Sequence, residues 1–497
     1  MTTDLPYVLD NDGGPFVRAA MKVATGELDP GWYQMPASTY IYPLALAYRV
    51  QYAAGRLTGR WSDLARFERY GADHPETQWV PARILSALAG AAVVPAVVWL
   101  SLALGLSPGA ALFGGLLVTL SRSHWAVSHL VRADLLLATF VLSTLGFSIR
   151  LLSGSARDAV LAGAAAGLAT ASKWPGLLVY GCVVLAIALS IPPDRRRASG
   201  TARAAVGLTV VGLAVALAWW AWGWEFVWKA RDGFAQVPPE FRDGHLFLRR
   251  TLLALSAIVA LVGMATLAVP GAGSLVVAVA ADRRVRRTLA PGLIVVTFFV
   301  GYLTFFSLAH NRSYRYVVPL APLVAIGAAC ASEALIRRSG RAWRLAIVAT
   351  IGLAAVPALA VIGLEAQVRL PSTRVVASEW VKANVPPGTP MAIEEHSVIL
   401  CTHCYPVQNV GALHRLTTRP PLVITSGQVI DTFRSAPERF PDEVRRYAAV
   451  LSRYREARRF TSSGGSLRGP EIVVHVRADI ADRPGPPRRR PPAEPIK

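Results

Sequence analysis

The chain has 497 residues, of which 53% are hydrophobic and only 17% are charged. Soluble proteins average roughly 25% charged residues, so this composition excludes a single soluble domain. The formal net charge of +21 would suit a nucleic-acid-binding protein. However, the basic residues lie mainly between long apolar segments, as in loops that orient a membrane protein, and we therefore expect no nucleic-acid partner.

Apolar segments recur along the chain, and about 20 such residues cross the hydrocarbon core of a bilayer. The long segments are 80–106, 135–152, 175–191, 204–224, 252–281, 289–308, 316–336 and 345–364, and two shorter ones are 108–120 and 158–172. We predict an all-α polytopic membrane protein with about nine to eleven transmembrane helices. A small C-terminal α/β domain is expected outside the cytoplasm.

Arginine clusters predict which loops face the cytoplasm, namely 195–203, 283–287 and 337–344. If every segment crosses once, the first 79 residues and the loops around Lys173 and His310 lie outside the plasma membrane. The predicted parts are an outer loop with juxtamembrane helices (1–79), a transmembrane domain (80–364), an extracytoplasmic α/β domain (365–481) and a disordered basic, Pro-rich tail (482–497). Export of such a first loop needs a preceding helix, so we expect one to be missing from this sequence.

The C-terminal domain has recognisable element signals. The predicted elements are a helix capped by Ser372 or Thr373 that ends at Asn384, strands at 421–425 and 471–476, and a basic helix at 441–460. Cys401 and Cys404 form a C-x-x-C pair near His396 and His414. Such a pair in an oxidising compartment is typical of a disulfide, with a zinc site as the alternative.

The first outer loop contains Asp10 and Asp12 in the stretch Asp-Asn-Asp-Gly-Gly. A carboxylate at the membrane surface can accept a proton from an acceptor hydroxyl, although Asn, Asp and Gly together are also typical of a turn. Lys173 lies at the outer junction of two apolar segments. Its ammonium group either snorkels to the interface or holds a lipid-linked phosphate.

Arg132 and Asp134 lie at the outer start of a predicted helix. An acidic residue there is either part of a site or a partner of the helix cap and dipole. The strongest cluster is His310-Asn-Arg-Ser-Tyr-Arg-Tyr-Val-Val-Pro319, which contains Arg312 and Arg315 outside, against the usual bias of arginine. Guanidinium groups bind phosphoryl oxygens through paired hydrogen bonds, so this cluster favours phosphate recognition, with lipid headgroup anchoring as the alternative.

In their order along the chain, these motifs resemble the polyprenyl-phosphate-sugar-dependent GT-C glycosyltransferases, specifically the superfamily of protein O-mannosyltransferases and lipid A aminoarabinose transferases. The resemblance covers residues 5 to about 395. It is carried by the first-loop Asp, the Pro-x-x-x-Tyr-x-Tyr-Pro stretch at 36–43, the segment from Arg83 to Gly90, Asp134, the segment from Gly167 to Trp174, and His310 to Pro319.

The resemblance implies that Asp12 is the catalytic base of a single inverting displacement at the anomeric carbon of the sugar. Gly13 stands where the family has a Glu, which leaves Asp10 as a rival base. Lys173, Arg315 and Arg132 are expected to neutralise the departing polyprenyl phosphate.

The same resemblance implies further substrate-binding roles for Asp134, His310, Arg312 and Tyr316. The scheme requires no metal and no other cofactor. The implied partners are a polyprenyl-phosphate-linked sugar donor, an acceptor hydroxyl on a protein, lipid or glycan, and membrane lipid.

Two other functions remain open from the sequence. A transporter or flippase for lipid-linked sugars is one, and it would place ionisable residues in the middle of spanning helices. An inactive partner subunit is the other, and Gly13 favours it.

Overall fold

The structure is a computed structural model. It describes residues 4–5, 7, 11–31, 37–153, 155–190, 283–308, 314–340, 343–401, 404–463 and 465–481. The predicted spans at 204–224 and 252–281 and the tail at 482–497 lie outside the described residues. The chain divides into two compact units, one formed mainly by Asp10–Ile362 and the other by Thr2–Leu9 with Gly363–Lys497.

The described residues of the larger unit form helices joined by turns and short irregular segments, with no strand among them. Its helices are α1 (Gly14–Thr25), α2 (Ser38–Leu57), α3 (Leu64–Asp73), α4 (Glu76–Ala103), α5 (Pro108–Thr119), α6 (Arg122–Ser128), α7 (Asp134–Leu151), α8 (Ala156–Ser172), α9 (Tyr180–Ser190), α10 (Arg283–Leu308), α11 (Ala321–Arg338) and most of α12 (Trp343–Val368). Short 3-10 helices cover Asn11–Gly13, Trp174–Val179 and Tyr314–Val317.

Among the described residues, four helices are long and apolar enough to cross a membrane. They are Glu76–Ala103, Asp134–Leu151, Thr288–Phe306 and Ile347–Val368, and each overlaps a segment predicted from the sequence. The segment predicted at 316–336 differs, because its first residues form a 3-10 turn and α11 begins only at Ala321. The total of about nine to eleven spans stays a prediction.

Helices α7 and α8 pack closely because one face of α8 consists of small residues. Ala159, Ala162, Ala166 and Ala169 recur at intervals of three or four residues and are fully buried. They belong to the same hydrophobic core as Val141 of α7. Small side chains at this spacing let two helix backbones approach each other, as is typical of helices in membranes.

The smaller unit contains a five-stranded sheet in the order β2-β1-β3-β5-β4. Its elements are α13 (Thr373–Asn384), β1 (Met391–Glu394), β2 (Val407–Gly411), β3 (Leu422–Ser426), α14 (Gly427–Arg434), α15 (Pro441–Leu451), β4 (Tyr454–Phe460), β5 (Ile472–Arg477) and α16 (Ala478–Ala481). Strand β1 is parallel to β2 and β3, whereas β5 is antiparallel to β3 and β4. The sheet is therefore mixed.

Helices cover both faces of this sheet. Successive side chains of a strand point to opposite faces, so Val423 and Ile424 of β3 belong to different cores. Ile424 packs in one cluster with Val381 of α13. Val423 packs in another with Phe433 of α14 and Tyr447 of α15. The result is a three-layered α/β arrangement.

The predicted helix capped by Ser372 is present, and Ser372 accepts a hydrogen bond from the backbone N–H of Arg374 at 3.3 Å. Both predicted strands are present, each beginning one residue later than expected. The basic helix predicted at 441–460 is wrong in its second half, because it ends at Leu451 and a strand, Tyr454–Phe460, follows. This segment forms a strand because it pairs with β5 at the edge of the sheet, where its arginines remain exposed.

Glu394 ends β1 and is only 1% exposed. Its carboxylate accepts hydrogen bonds from the backbone N–H groups of Leu413 and Ser426, each at 2.8 Å, and from the hydroxyl of Tyr447. Burial raises the pKa of Glu394, while these hydrogen bonds lower it. One buried carboxylate thus joins the ends of two strands to α15.

His475 of β5 predicts a pH dependence of stability. It contacts the hydroxyl of Thr425 at 3.1 Å, and burial lowers its pKa to about 4, with Glu456 opposing that shift. An unfolded histidine has a pKa of about 6.5. Between about pH 6.5 and 4 the unfolded chain therefore binds a proton that the folded chain does not, so the free energy of unfolding falls as the pH is lowered.

Hydrogen exchange of the β3 and β5 amides in the full chain measures this effect. We expect His475→Gln to reduce the loss of protection between about pH 6.5 and 4. Glu394 contributes with the opposite sign, since a raised carboxyl pKa makes the folded state bind the proton first. Glu394 is present both in the unmodified chain and in His475→Gln, so the difference in protection between the two proteins reports on His475 alone. If protection against hydrogen exchange fell equally with pH in the unmodified chain and in His475→Gln, the prediction would be wrong.

Candidate active site

Asp12 and Arg132 form an ion pair in the larger unit. Nη2 of Arg132 donates to Oδ2 of Asp12 at 3.1 Å. The two partners differ in accessibility, because the side chain of Arg132 is 5% exposed and that of Asp12 is 59% exposed. A buried guanidinium therefore holds a carboxylate that remains open to solvent.

The local fold presents Asp12 at the start of α1. Asn11–Gly13 form a 3-10 turn that leads directly into the helix. One face of α1 is buried, including Phe16 and Ala20, and the helix ends at Gly26 with a φ of 120°. That left-handed conformation favours glycine, and the N–H of Gly26 contacts the carbonyls of Lys22 and Val23. Helix α1 is thus fixed at both ends, with the carboxylate at its beginning.

Arg132 is positioned by buried hydrogen bonds. Its Nη1 donates to the carbonyl of Val131 at 2.9 Å, and its backbone N–H donates to Oγ of Ser86 at 3.4 Å. The hydroxyl of Tyr40 contacts Oγ of Ser86 at 2.9 Å and donates to the carbonyl of Ala82 at 2.5 Å. Helices α2 and α4 therefore support the segment that carries Arg132.

A second ion pair joins Asp134 and Lys173. Nζ of Lys173 donates to Oδ1 of Asp134 at 2.6 Å, and both side chains are buried, at 10% and 3% exposure. The same Nζ lies 4.9 Å from the ring centroid of Tyr316, within the range of a cation–π interaction. Tyr316 in turn stacks on Phe306 with centroids 4.8 Å apart.

The turn that carries Lys173 depends on a close backbone contact. Lys173 is extended, between the end of α8 and the 3-10 helix Trp174–Val179. A Cβ at Gly176 would lie 2.3 Å from the carbonyl carbon of Ala169, so only glycine fits this approach. The residue before Lys173 is also fixed, because Oγ of Ser172 contacts Oγ1 of Thr39 at 2.6 Å.

Five of the residues singled out from the sequence form two contact groups, Asp12 with Arg132 and Asp134 with Lys173 and Tyr316. Arg132 and Asp134 are two residues apart, so their Cα atoms lie within about 7 Å. Asp10, His310 and Arg312 lie outside the described residues. Arg315 is part of the 3-10 helix Tyr314–Val317, and its side chain is not described.

The contacts of Asp134 and Lys173 bear on the alternative roles that the sequence left open for each of them. Asp134 lies in the first turn of α7, yet the residue at the N-cap is Ala133 and no side chain caps the helix. Its carboxylate binds Lys173, and its position in the first turn also suits the helix dipole. The ammonium group of Lys173 is buried and paired, so it does not snorkel to the surface in the way that the sequence left open.

Sequence reasoning missed Ser86, Tyr40 and Ser172 as supports of the site. All three lie in segments that carry the family resemblance, namely 36–43, 83–90 and 167–174, but their contacts were not predicted. Buried hydroxyls in an apolar helix usually need a partner. Ser86 is fully buried in α4, and that apolar setting was the available signal.

An apolar cavity of about 920 Å³ lies between α5, α10, α11 and α12. Its lining is mostly aliphatic and aromatic, with Leu303 and Val324 as examples. Ser121 and Arg122 contribute polar groups to it. Val317, which follows Tyr316 in the chain, also lines the cavity, whereas Tyr316 and the four charged residues do not.

The C-x-x-C pair is outside this cluster. Cys401 and Cys404 are exposed thiols that are not joined in a disulfide. A hydrogen bond with Cys401 raises the pKa of Cys404. In the described part of the chain, no group of three or more His, Cys, Asp or Glu residues could hold a metal ion, and His403 lies outside that part.

A largely helical chain with four candidate spans among its described residues, and with charges gathered at helix ends, defines a membrane protein with a polar site. The family model described as dolichyl-phosphate-mannose-protein mannosyltransferase matches residues 33–222. This match confirms the resemblance to GT-C glycosyltransferases of the protein O-mannosyltransferase type. The matched range includes Arg132, Asp134 and Lys173, whereas Asp12 and Tyr316 lie outside it.

Three solved structures match the chain over most of its length at low identity. ArnT from Cupriavidus metallidurans in the apo state gives a TM-score of 0.47 at 16% identity, covering 95% of this chain and 94% of that chain. The same protein bound to undecaprenyl phosphate gives 0.42 at 15% identity, covering 93% of each. The apo oligosaccharyltransferase of Archaeoglobus fulgidus gives 0.47 at 13% identity, covering 95% of this chain and 73% of that chain. No curated protein sequence matches the chain.

Proposed function

We propose that the chain is a membrane glycosyltransferase that moves a sugar from a polyprenyl-phosphate carrier to an acceptor hydroxyl outside the cytoplasm. The observation that carries this proposal is the ion pair between the exposed carboxylate of Asp12 and the buried guanidinium of Arg132. Asp134, which forms a buried ion pair with Lys173, lies two residues after Arg132. A base for the acceptor and cations for the leaving group are thereby available in one region of the larger unit.

The reaction is a single displacement with inversion. The acceptor oxygen forms a bond to the anomeric carbon while the bond from that carbon to the phosphate oxygen breaks. The hydroxyl proton passes to the carboxylate of Asp12, and the electron pair of the broken bond leaves with the polyprenyl phosphate. The exposure of Asp12 suits this role, since an acceptor can reach its oxygens.

The cations of the site act on the leaving group. Negative charge grows on the phosphate as the bond breaks, so fixed cations stabilise the transition state more than the ground state. An ammonium group has three donors, and Asp134 accepts one from Lys173. Lys173 and Arg132 are assigned to the phosphate, with Arg315 as a third cation on the grounds of its sequence motif.

The apolar cavity of about 920 Å³ suits the prenyl chain. Its lining resembles lipid in polarity, and its lining residue Val317 follows Tyr316, which contacts Lys173, in the chain. The carrier would then lie in the apolar cavity with its phosphate at the cations and its sugar toward Asp12. Dolichyl-phosphate mannose is the first donor to test, because the matching family is described by it.

Turnover by the purified full chain tests the proposal. Dolichyl-phosphate mannose is supplied in lipid nanodiscs with mannotriose or a serine-rich peptide as acceptor. We expect release of dolichyl phosphate and a product whose anomeric configuration is inverted relative to the donor, as read by NMR. Retained configuration would exclude the displacement. With the chain reconstituted in lipid vesicles instead, movement of intact donor across the bilayer without its consumption would indicate a flippase.

A further inference from the structure

A second cavity lies on the first loop region, between α1, α3 and the start of α4. Its volume is about 440 Å³, which falls in the range of roughly 300–1,000 Å³ for small-molecule sites. The polar lining residues are Arg18, Lys22, Thr25, Glu27, Glu68 and Gln78. Met21, which is 4% exposed, is the apolar lining residue.

The charges of this cavity balance. Two cations, Arg18 and Lys22, face two carboxylates, Glu27 and Glu68. Lys22 and Glu27 are 3.0 Å apart. A hydroxyl group donates one hydrogen bond and accepts up to two, so a cavity with adjacent donors and acceptors can satisfy both properties of each hydroxyl. A strongly charged ligand would leave some of these groups opposed by like charge.

The first residue that lines the cavity, Arg18, lies six positions after Asp12 in the chain. The guanidinium group of Arg18 folds back over Gly14, where a Cβ would lie 3.0 Å from its Nη1. With a rise of 1.5 Å per residue, Arg18 lies about 9 Å and Lys22 about 15 Å from Asp12 along the helix axis. An extended acceptor of several units is long enough to bridge the distance from Asp12 to these residues.

We propose that this cavity binds the acceptor next to its reacting hydroxyl, and that the acceptor is an uncharged polyhydroxylated chain, that is, a glycan. The assignment rests on the proposed function, since it names the acceptor class of the same site. The acceptor oxygen still forms the bond to the sugar, its proton goes to Asp12 and the phosphate leaves. Glu68 and Lys22 contact the distal sugar units and take no part in that step.

Binding without donor is the first test. Saturation-transfer NMR with mannotriose on the full chain in nanodiscs needs no glycosyl transfer, so it can fail independently of the proposed function. We expect Glu68→Gln and Lys22→Met each to raise the dissociation constant about tenfold, which corresponds to about 1.4 kcal/mol. Arg69→Gln is the matched control, because Arg69 is exposed on α3 beside Glu68 and does not line the cavity.

Transfer kinetics give the second test. With dolichyl-phosphate mannose as donor, the cavity variants are expected to raise KM for mannotriose about tenfold and to leave kcat within about twofold. Mannotriose binding that is unchanged in Glu68→Gln and Lys22→Met overturns the inference. Transfer to a serine-rich peptide in preference to mannotriose also overturns it, while supporting the proposed function. Absence of transfer to either acceptor overturns the proposed function, and the acceptor assignment falls with it.

Discussion

Replacing Asp12 with asparagine is expected to lower kcat by roughly two to four orders of magnitude, the usual contribution of a positioned general base. The amide keeps the shape of the side chain but cannot take up the proton of the acceptor hydroxyl. Donor binding should change less than kcat, because the amide oxygen of asparagine can still accept the hydrogen bond from Arg132, which is assigned to the phosphate. Release of dolichyl phosphate gives kcat, and a binding assay with dolichyl phosphate alone gives the affinity for the carrier.

Two further variants make this test specific. Glu76→Gln is the matched control, since Glu76 begins α4, is 46% exposed and pairs with His74. It should retain full activity. Asp10→Asn tests the rival base. If Asp10→Asn is inactive while Asp12→Asn is fully active, the general base is Asp10. Unfolding midpoints of all three variants close to that of the unmodified chain show that the fold is retained.

The sequence was sufficient to predict helices whose apolar length decides their formation. The segments at 80–106 and 135–152 correspond to Glu76–Ala103 and Asp134–Leu151 with small shifts at their ends. The bilayer fixes the length of a spanning helix, so local composition carries the signal. Local capping chemistry likewise predicted the start of α13, where the oxygen of Ser372 accepts a backbone hydrogen bond.

Elements that depend on distant partners could not be predicted in this way. The run Tyr454–Phe460 carries three arginines, and its strand form is decided by pairing with β5. Strand β2 has only one flanking neighbour, β1, and most of its side chains are half-buried or exposed. Such edge strands lack both the alternation and the apolar run that identify a strand in a single sequence.

In the candidate site, too, the sequence predicted the residue types but not their contacts with distant partners. Sequence patterns singled out Arg132, Asp134 and Lys173 because charges beside apolar segments are unusual. Which of them pair is a tertiary property, since 39 positions separate Asp134 from Lys173 and 120 separate Asp12 from Arg132.

The largest effect on stability is expected at the pair of Asp134 and Lys173. Removing one partner of a buried ion pair leaves the other charge without compensation and costs about 3–5 kcal/mol. Asp134→Asn and Lys173→Met should therefore each lower the unfolding midpoint of the purified chain markedly. The double variant removes both charges and should regain most of the stability. Asp442→Asn provides the control, because its pair with Arg445 is exposed and such pairs contribute about 0–1 kcal/mol.

Activity in the double variant separates the structural role of Lys173 from its role in catalysis. If Lys173 stabilises the departing phosphate, the chain with Asp134→Asn and Lys173→Met should be folded yet slow, because the charge that develops in the transition state has lost its nearest ammonium. The deficit should appear in kcat more than in KM, since the leaving group becomes fully charged only as the bond breaks. A double variant that regains both stability and turnover would make Lys173 a structural residue. Neutralisation of the phosphate would then have to come from Arg132 and Arg315.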